Sequence, residues 1–114
     1  MVHVAVGLLL RSDQVLIALR PKQSHQGGLW EFPGGKVEAD EAVAEALIRE
    51  LQEELAITPL ETAPLITVQH DYVDKSVLLD VWWVTTFDGQ PHGCEGQPIE
   101  WVAVAQLDNY EFPE

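Results

Sequence analysis

Residues 34–57, GGKVEADEAVAEALIRELQEELAI, hold the stretch whose reading decides the fold: the glycines Gly34 and Gly35, then a helical run rich in carboxylates. Apolar side chains recur at Val43, Leu47, Leu51 and Leu55, joined by Ala44 and Ile48, which is the spacing of an amphipathic helix. This periodicity predicts a helix over roughly 41–55, with Asp40 as its N-cap and Glu41 in an acidic first turn that suits the positive helix end. Ala56 falls at the helix end, where a left-handed glycine is the usual C-cap.

Glu50, Glu53 and Glu54 stand at i, i+3 and i+4 and share one helix face. At about 100° per residue that face lies beside the apolar stripe, so the carboxylates are expected at the edge of the buried interface, where a cleft can form. Like charges at this spacing cost a few tenths of a kcal/mol per pair. A hard divalent cation held by oxygens, Mg²⁺ above all, offsets that repulsion. On an arbitrary helix, a solvated acidic face paired to Arg49 explains the same pattern. Glu45 and Glu53 each lie four residues from Arg49, within ion-pair reach.

Five residues separate Gly35 from Glu41, and seven more precede Arg49-Glu50, followed by Leu51, Gln52, Glu53 and Glu54. With Phe32-Pro33 ahead of the glycines, this spacing resembles the signature box of the Nudix hydrolases, and it departs from it where Ala56 replaces a glycine. The resemblance implies the Nudix fold: α/β, a mixed β-sheet with the box helix packed on it in an α/β/α sandwich whose second helix is cut short here. It also implies metal ligands at Glu50, Glu53, Glu54 and the carbonyl of Gly34, an orienting Arg49, and a lesser role for Glu41. Mg²⁺ is the expected ion, with Mn²⁺ as a substitute.

Within the family the chain is most similar to the MutT-type 8-oxo-dGTP diphosphatases, through Ala5-Val6-Gly7, LWEFPGGK at 29–36, Glu95-Gly96-Gln97-Pro98 and Asp108 to Pro113. The resemblance makes Glu95 a further metal ligand or base, although in isolation it reads as a solvated loop acid. It places Arg20, His25, Phe32, Lys36, Val4, Val6 and Tyr72 around the substrate. The plain readings compete: Arg20 as a charge at a strand end, His25 as loop, Val4 and Val6 as core, Tyr72 as a hairpin flank. The implied reaction is Mg²⁺-dependent hydrolysis of 8-oxo-dGTP to the monophosphate and pyrophosphate. The alternatives are another nucleotide (a pyrimidine triphosphate, a dinucleoside polyphosphate, a nucleotide sugar) or a silent nucleotide-binding domain. The family's asparagine that reads the oxidised base would fall just past Glu114.

Composition sets the bounds. The 114 residues suffice for one domain, expected to span 1–114. The formal net charge is −13, from 19 acids against six bases, and seven of those acids lie between Glu38 and Glu54. Such a chain repels a nucleic-acid polymer, whereas a small nucleotide held through a metal is compatible. Cys94 is the sole cysteine, so no intrachain disulfide forms and a reducing, cytoplasmic setting is expected. The apolar run Val4 to Leu10 is too short to span a bilayer and reads as a strand. Oligomeric state is open, a monomer being the simplest case.

Strands are expected at about 2–10 and 15–20 around a Ser12-Asp13 turn, then a short one at 29–32, and others at 64–71, 76–87 and 98–103. Gly89 to Gln97 reads as a loop, Leu107 to Glu114 as the start of a further turn or helix, and the four tryptophans, Trp30, Trp82, Trp83 and Trp101, as core.

Overall fold

The computed structural model describes residues 1–20 and 28–112. In chain order it contains β1 (Val2–Arg11), β2 (Gln14–Leu19), β3 (Trp30–Glu31), β4 (Gly34–Lys36), α1 (Val43–Leu55), β5 (Thr58–Asp71), β6 (Ser76–Asp88), β7 (Ile99–Ala103) and a 3₁₀ helix (Val104–Asn109). The mixed sheet is organised by β1. It runs parallel to β6 from Val2 to Leu9 and antiparallel to β4 from Val4 to Val6, and its last residues, Leu10 and Arg11, pair with β2. Beyond β6 lies β5, while β2 also carries β3 and β7.

Alternation along β1 sends Ala5, Gly7 and Leu9 towards α1 and leaves Val4, Val6 and Leu8 on the other face. The helix meets β1 at Gly7, where an added Cβ would stand 3.2 Å from the Cδ1 atoms of both Leu47 and Leu51. Leu47, Leu51 and Leu55 are fully buried, with Ala46, Leu9, Leu16, Ile57 and Val84, and together they form the core. Each buried leucine contributes roughly 1.5–3 kcal/mol, so this stripe anchors the helix and its carboxylates to the sheet.

Several expectations need correction. The helix begins at Val43, not 41, and its N-cap is Ala42. Asp40 takes a left-handed conformation (φ 66°) outside the helix, and Glu45 caps by accepting the Ala42 N–H at 2.9 Å. Strand β5 starts at Thr58, six residues before the expected 64, running through Pro59 and Pro64 with irregular register beside each proline. Proline breaks a ladder unless a bulge or edge absorbs it, which is why the sequence reads there as non-strand. Strand β4 is a strand despite its glycines, because only glycine fits: a Cβ on Gly34 would stand 2.0 Å from the Ala5 carbonyl oxygen. The tryptophans are partly buried, not core. Trp82 and Trp101 pack against the core, whereas Trp30 meets Tyr110 edge-on at 5.4 Å.

Candidate active site

Two clusters grow from α1. In the first, Arg49 is the hub. Its Nε donates to Glu41 Oε2 at 2.8 Å and its Nη2 to Glu41 Oε1 at 3.0 Å, a bidentate pair. Its Nη1 donates to Glu50 Oε1 at 3.0 Å and Nη2 to the Lys36 carbonyl at 3.0 Å. Glu53 lies 3.6 Å from Nη1 and Glu38 3.6 Å from Nη2. The hydrogen bonds from Arg49 hold the Glu41 carboxyl down at about 2, and those carboxylates in turn raise the Arg49 pKa. Glu45 is spent on the helix cap, so the pairing expected between it and Arg49 is replaced by Glu41.

In the second cluster, Glu54 lines a cleft with Arg20, Glu31, Glu95 and Gln97. Burial pushes the Glu54 carboxyl up to about 8, and the charges of Glu50, Glu31 and Glu95 push the same way, while a hydrogen bond from the Gly34 N–H works against them. That N–H stands 3.3 Å from Glu54 Oε2. Arg20 Nη1 donates to Glu31 Oε1 at 2.6 Å. Among the described residues, the carboxylates of Glu31 and Glu95 beside the protonated Glu54 outnumber the Arg20 guanidinium and leave this cleft with surplus negative charge.

Gly35 provides the space for Glu50: a Cβ there would stand 2.3 Å from Glu50 Cδ. The Glu50 carboxylate is therefore seated against the β4 backbone, one residue from the carbonyl of Gly34. As the side chains lie, no three carboxylate, imidazole or thiol groups converge at ligating distance among the described residues. Glu53 points outward, 58% exposed. The donor set nevertheless fits a hard cation, since all the groups are oxygens, the local charge is negative, and Glu54 is destabilised as an anion in the absence of a positive partner.

The remaining predicted residues scatter. Phe32 lines a separate hollow with Leu107, Asp108, Tyr110 and Phe112, and its ring stacks on Phe112 at 5.3 Å. Val4 and Val6 lie on the sheet face away from α1, so packing in the main core is not their role. Lys36 is exposed and takes part through its carbonyl. Tyr72 sits in the β5–β6 turn, its ring 4.4 Å from that of His70. His25 lies outside the described residues. Two residues escaped the sequence reading: Glu31, the partner of Arg20, and Gln97, whose side chain bridges Glu95 to α1. Only their membership of the quoted LWEFPGGK and EGQP segments marked them.

This site on this fold defines a Nudix hydrolase. The family model described as NUDIX domain matches residues 5–114, and the chain belongs to that family. Among curated proteins it is 36% identical to the 8-oxo-dGTP diphosphatase of Escherichia coli (strain K12), over 97% of this chain and 87% of that one. It is 37% identical to the CTP pyrophosphohydrolase of the same organism, over 96% and 82%. A solved structure from work on MutT of Aliivibrio salmonicida and Vibrio cholerae superposes with a TM-score of 0.85 at 44% identity, covering 98% of this chain and 87% of that one. Nudix hydrolases work with a divalent metal, and a nucleotide substrate fits these relatives. No helix among the described residues is long and apolar enough to cross a membrane.

Proposed function

We propose that this chain, acting as one domain over 1–114 in a reducing cytoplasm, hydrolyses 8-oxo-dGTP to 8-oxo-dGMP and pyrophosphate with Mg²⁺. The observation that carries the reading is the cleft lined by Glu54, Glu95 and Arg20, with Glu54 on the helix that also presents Glu50 and Glu53. Glu50, Glu53, Glu54, Glu95 and the Gly34 carbonyl would hold the metal. Bound there, it would supply Lewis-acid polarisation for the phosphate and a more acidic water.

The protein's own groups do the rest. Arg49 fixes the rotamer of Glu50 and draws Glu53 towards it. Arg20, on leaving Glu31, neutralises charge that grows on the phosphoryl oxygens. Glu95 or Glu50 takes the proton of the attacking water. The apolar face carrying Val4 and Val6 receives the base together with Phe32, which precedes the β4 strand paired to those valines, and His25, Lys36 and Tyr72 complete the contacts to substrate.

A second reading, hydrolysis of CTP, draws on a relative that is just as similar. The test is pyrophosphate release with Mg²⁺ from 8-oxo-dGTP, CTP and the normal deoxynucleoside triphosphates, compared by kcat/KM. Preference for 8-oxo-dGTP by two orders of magnitude or more is the expected result. Preference for CTP replaces it with the second reading.

A further inference from the structure

We infer that Gln97 is a positioning residue that holds Glu95 over the cleft by tying its loop to the end of the helix carrying Glu54. The inference rests on the reading above, in which Glu95 takes part in the reaction.

The last turn of any helix leaves carbonyls without intrahelical partners. In α1 these are met by the loop after β6. The His92 N–H donates to the Leu55 carbonyl at 3.2 Å and the Cys94 N–H to the Glu54 carbonyl at 3.0 Å. Gln97 Nε2 donates to that same Glu54 carbonyl at 3.2 Å, while its Oε1 accepts the N–H of Glu95 at 2.9 Å. One side-chain amide thus joins the backbone of two cleft acids that are far apart in sequence.

The surrounding backbone is shaped for this. Gly93 lets the chain fold onto Gln97, since a Cβ there would stand 2.0 Å from the Gln97 carbonyl oxygen. The turn closes with the Gly96 N–H donating to the Gly93 carbonyl at 3.0 Å, and Gly96 has φ +79°. On the far side, the Pro98 carbonyl accepts the Leu19 N–H at 3.0 Å. Glu95 is exposed at the tip of this turn, so its place over the cleft depends on the amide beneath it. A misplacement of about 1 Å in a reacting group costs up to roughly a hundredfold in rate.

The test is a double-mutant cycle on kcat and KM with Mg²⁺, using 8-oxo-dGTP or CTP, whichever the intact protein turns over faster. Gln97→Ala should lower kcat by about tenfold and leave KM within about twofold. Glu95→Gln should lower kcat further, and adding Gln97→Ala to it should cost nothing more, because the group being positioned is already gone. Gln97→Glu keeps the acceptor for the Glu95 N–H but loses the donor to the Glu54 carbonyl. It should match Gln97→Ala in kcat, and it carries the same cycle if the alanine variant fails to fold. Losses that multiply in the double variant would overturn the positioning role while leaving Glu95 in the mechanism. Full kcat in Glu95→Gln would overturn the assignment of Glu95 itself, and this inference with it.

Discussion

Glu41, just ahead of α1, and Glu54, in its last turn, carry the same side chain, yet their surroundings push their pKa values apart. Glu41 is gripped by both edges of the Arg49 guanidinium and held at about 2. Glu54 is half-buried, shares its cleft with Glu31 and Glu95, and is pushed up to about 8 with a backbone N–H in support. The Arg49–Glu41 pair is a satisfied clamp beside Glu50 and Glu53. In the Glu54 cleft Arg20 is paired to Glu31 and the acids are in excess among the described residues, and a cation gains most where acids crowd one another.

The contrast can be broken most forcefully at the metal side. Glu53→Gln or Glu54→Gln should lower kcat by roughly a thousandfold, since a catalytic metal is worth several kcal/mol in the transition state, while circular dichroism stays native. A near-normal rate in both would remove the metal assignment. Arg49→Lys tests the other side. Lysine keeps the charge but loses the fork that grips Glu41, so kcat should fall by about tenfold, with Mg²⁺ still binding.

Thermal unfolding of the metal-free protein against pH sharpens the comparison. Between 4.5 and about 8 the folded Glu54 keeps a proton that the unfolded chain has lost, so the contribution of this group is complete below 4.5 and is lost as pH rises through 8. Glu41 acts oppositely: its contribution is present above 4.5 and lost as pH falls through about 2. In Glu54→Gln the decline between pH 4.5 and about 8 should vanish. The smallest effect is expected at the helix end, where Ala56 holds φ 59°. Ala56→Gly should raise stability by about 1 kcal/mol in denaturant unfolding, and no gain would mean that the loop contacts, not the dihedral, set this cap.

Much of this was legible in the sequence because it rests on periodicity. The α1 stripe, the Ser12-Asp13 hairpin and the strand near 76–87 follow from the spacing of apolar and turn residues. Glu50, Glu53 and Glu54 read alike in the sequence, as one face at the edge of the stripe, and only the fold separates the half-buried Glu54 from the exposed Glu53. Contacts that depend on long-range assembly were not readable. The sequence shows Arg49 four residues from Glu45, but only the fold brings Glu41 across from the preceding loop. Likewise Glu31 and Gln97 gain meaning only once β2, β3 and the loop after β6 surround the end of α1.

The most direct test of the claim that the Glu54 cleft is a divalent-cation site is calorimetric titration of Mg²⁺ into the metal-free protein at pH 7. It is run in two buffers of different ionisation enthalpy, for the intact chain and for Glu54→Gln. A cation that converts Glu54 to its anion must release its proton. The account predicts close to one proton released per cation by the intact chain, and weaker binding with little release by the variant. Equal affinity and equal proton release in the two proteins would contradict it.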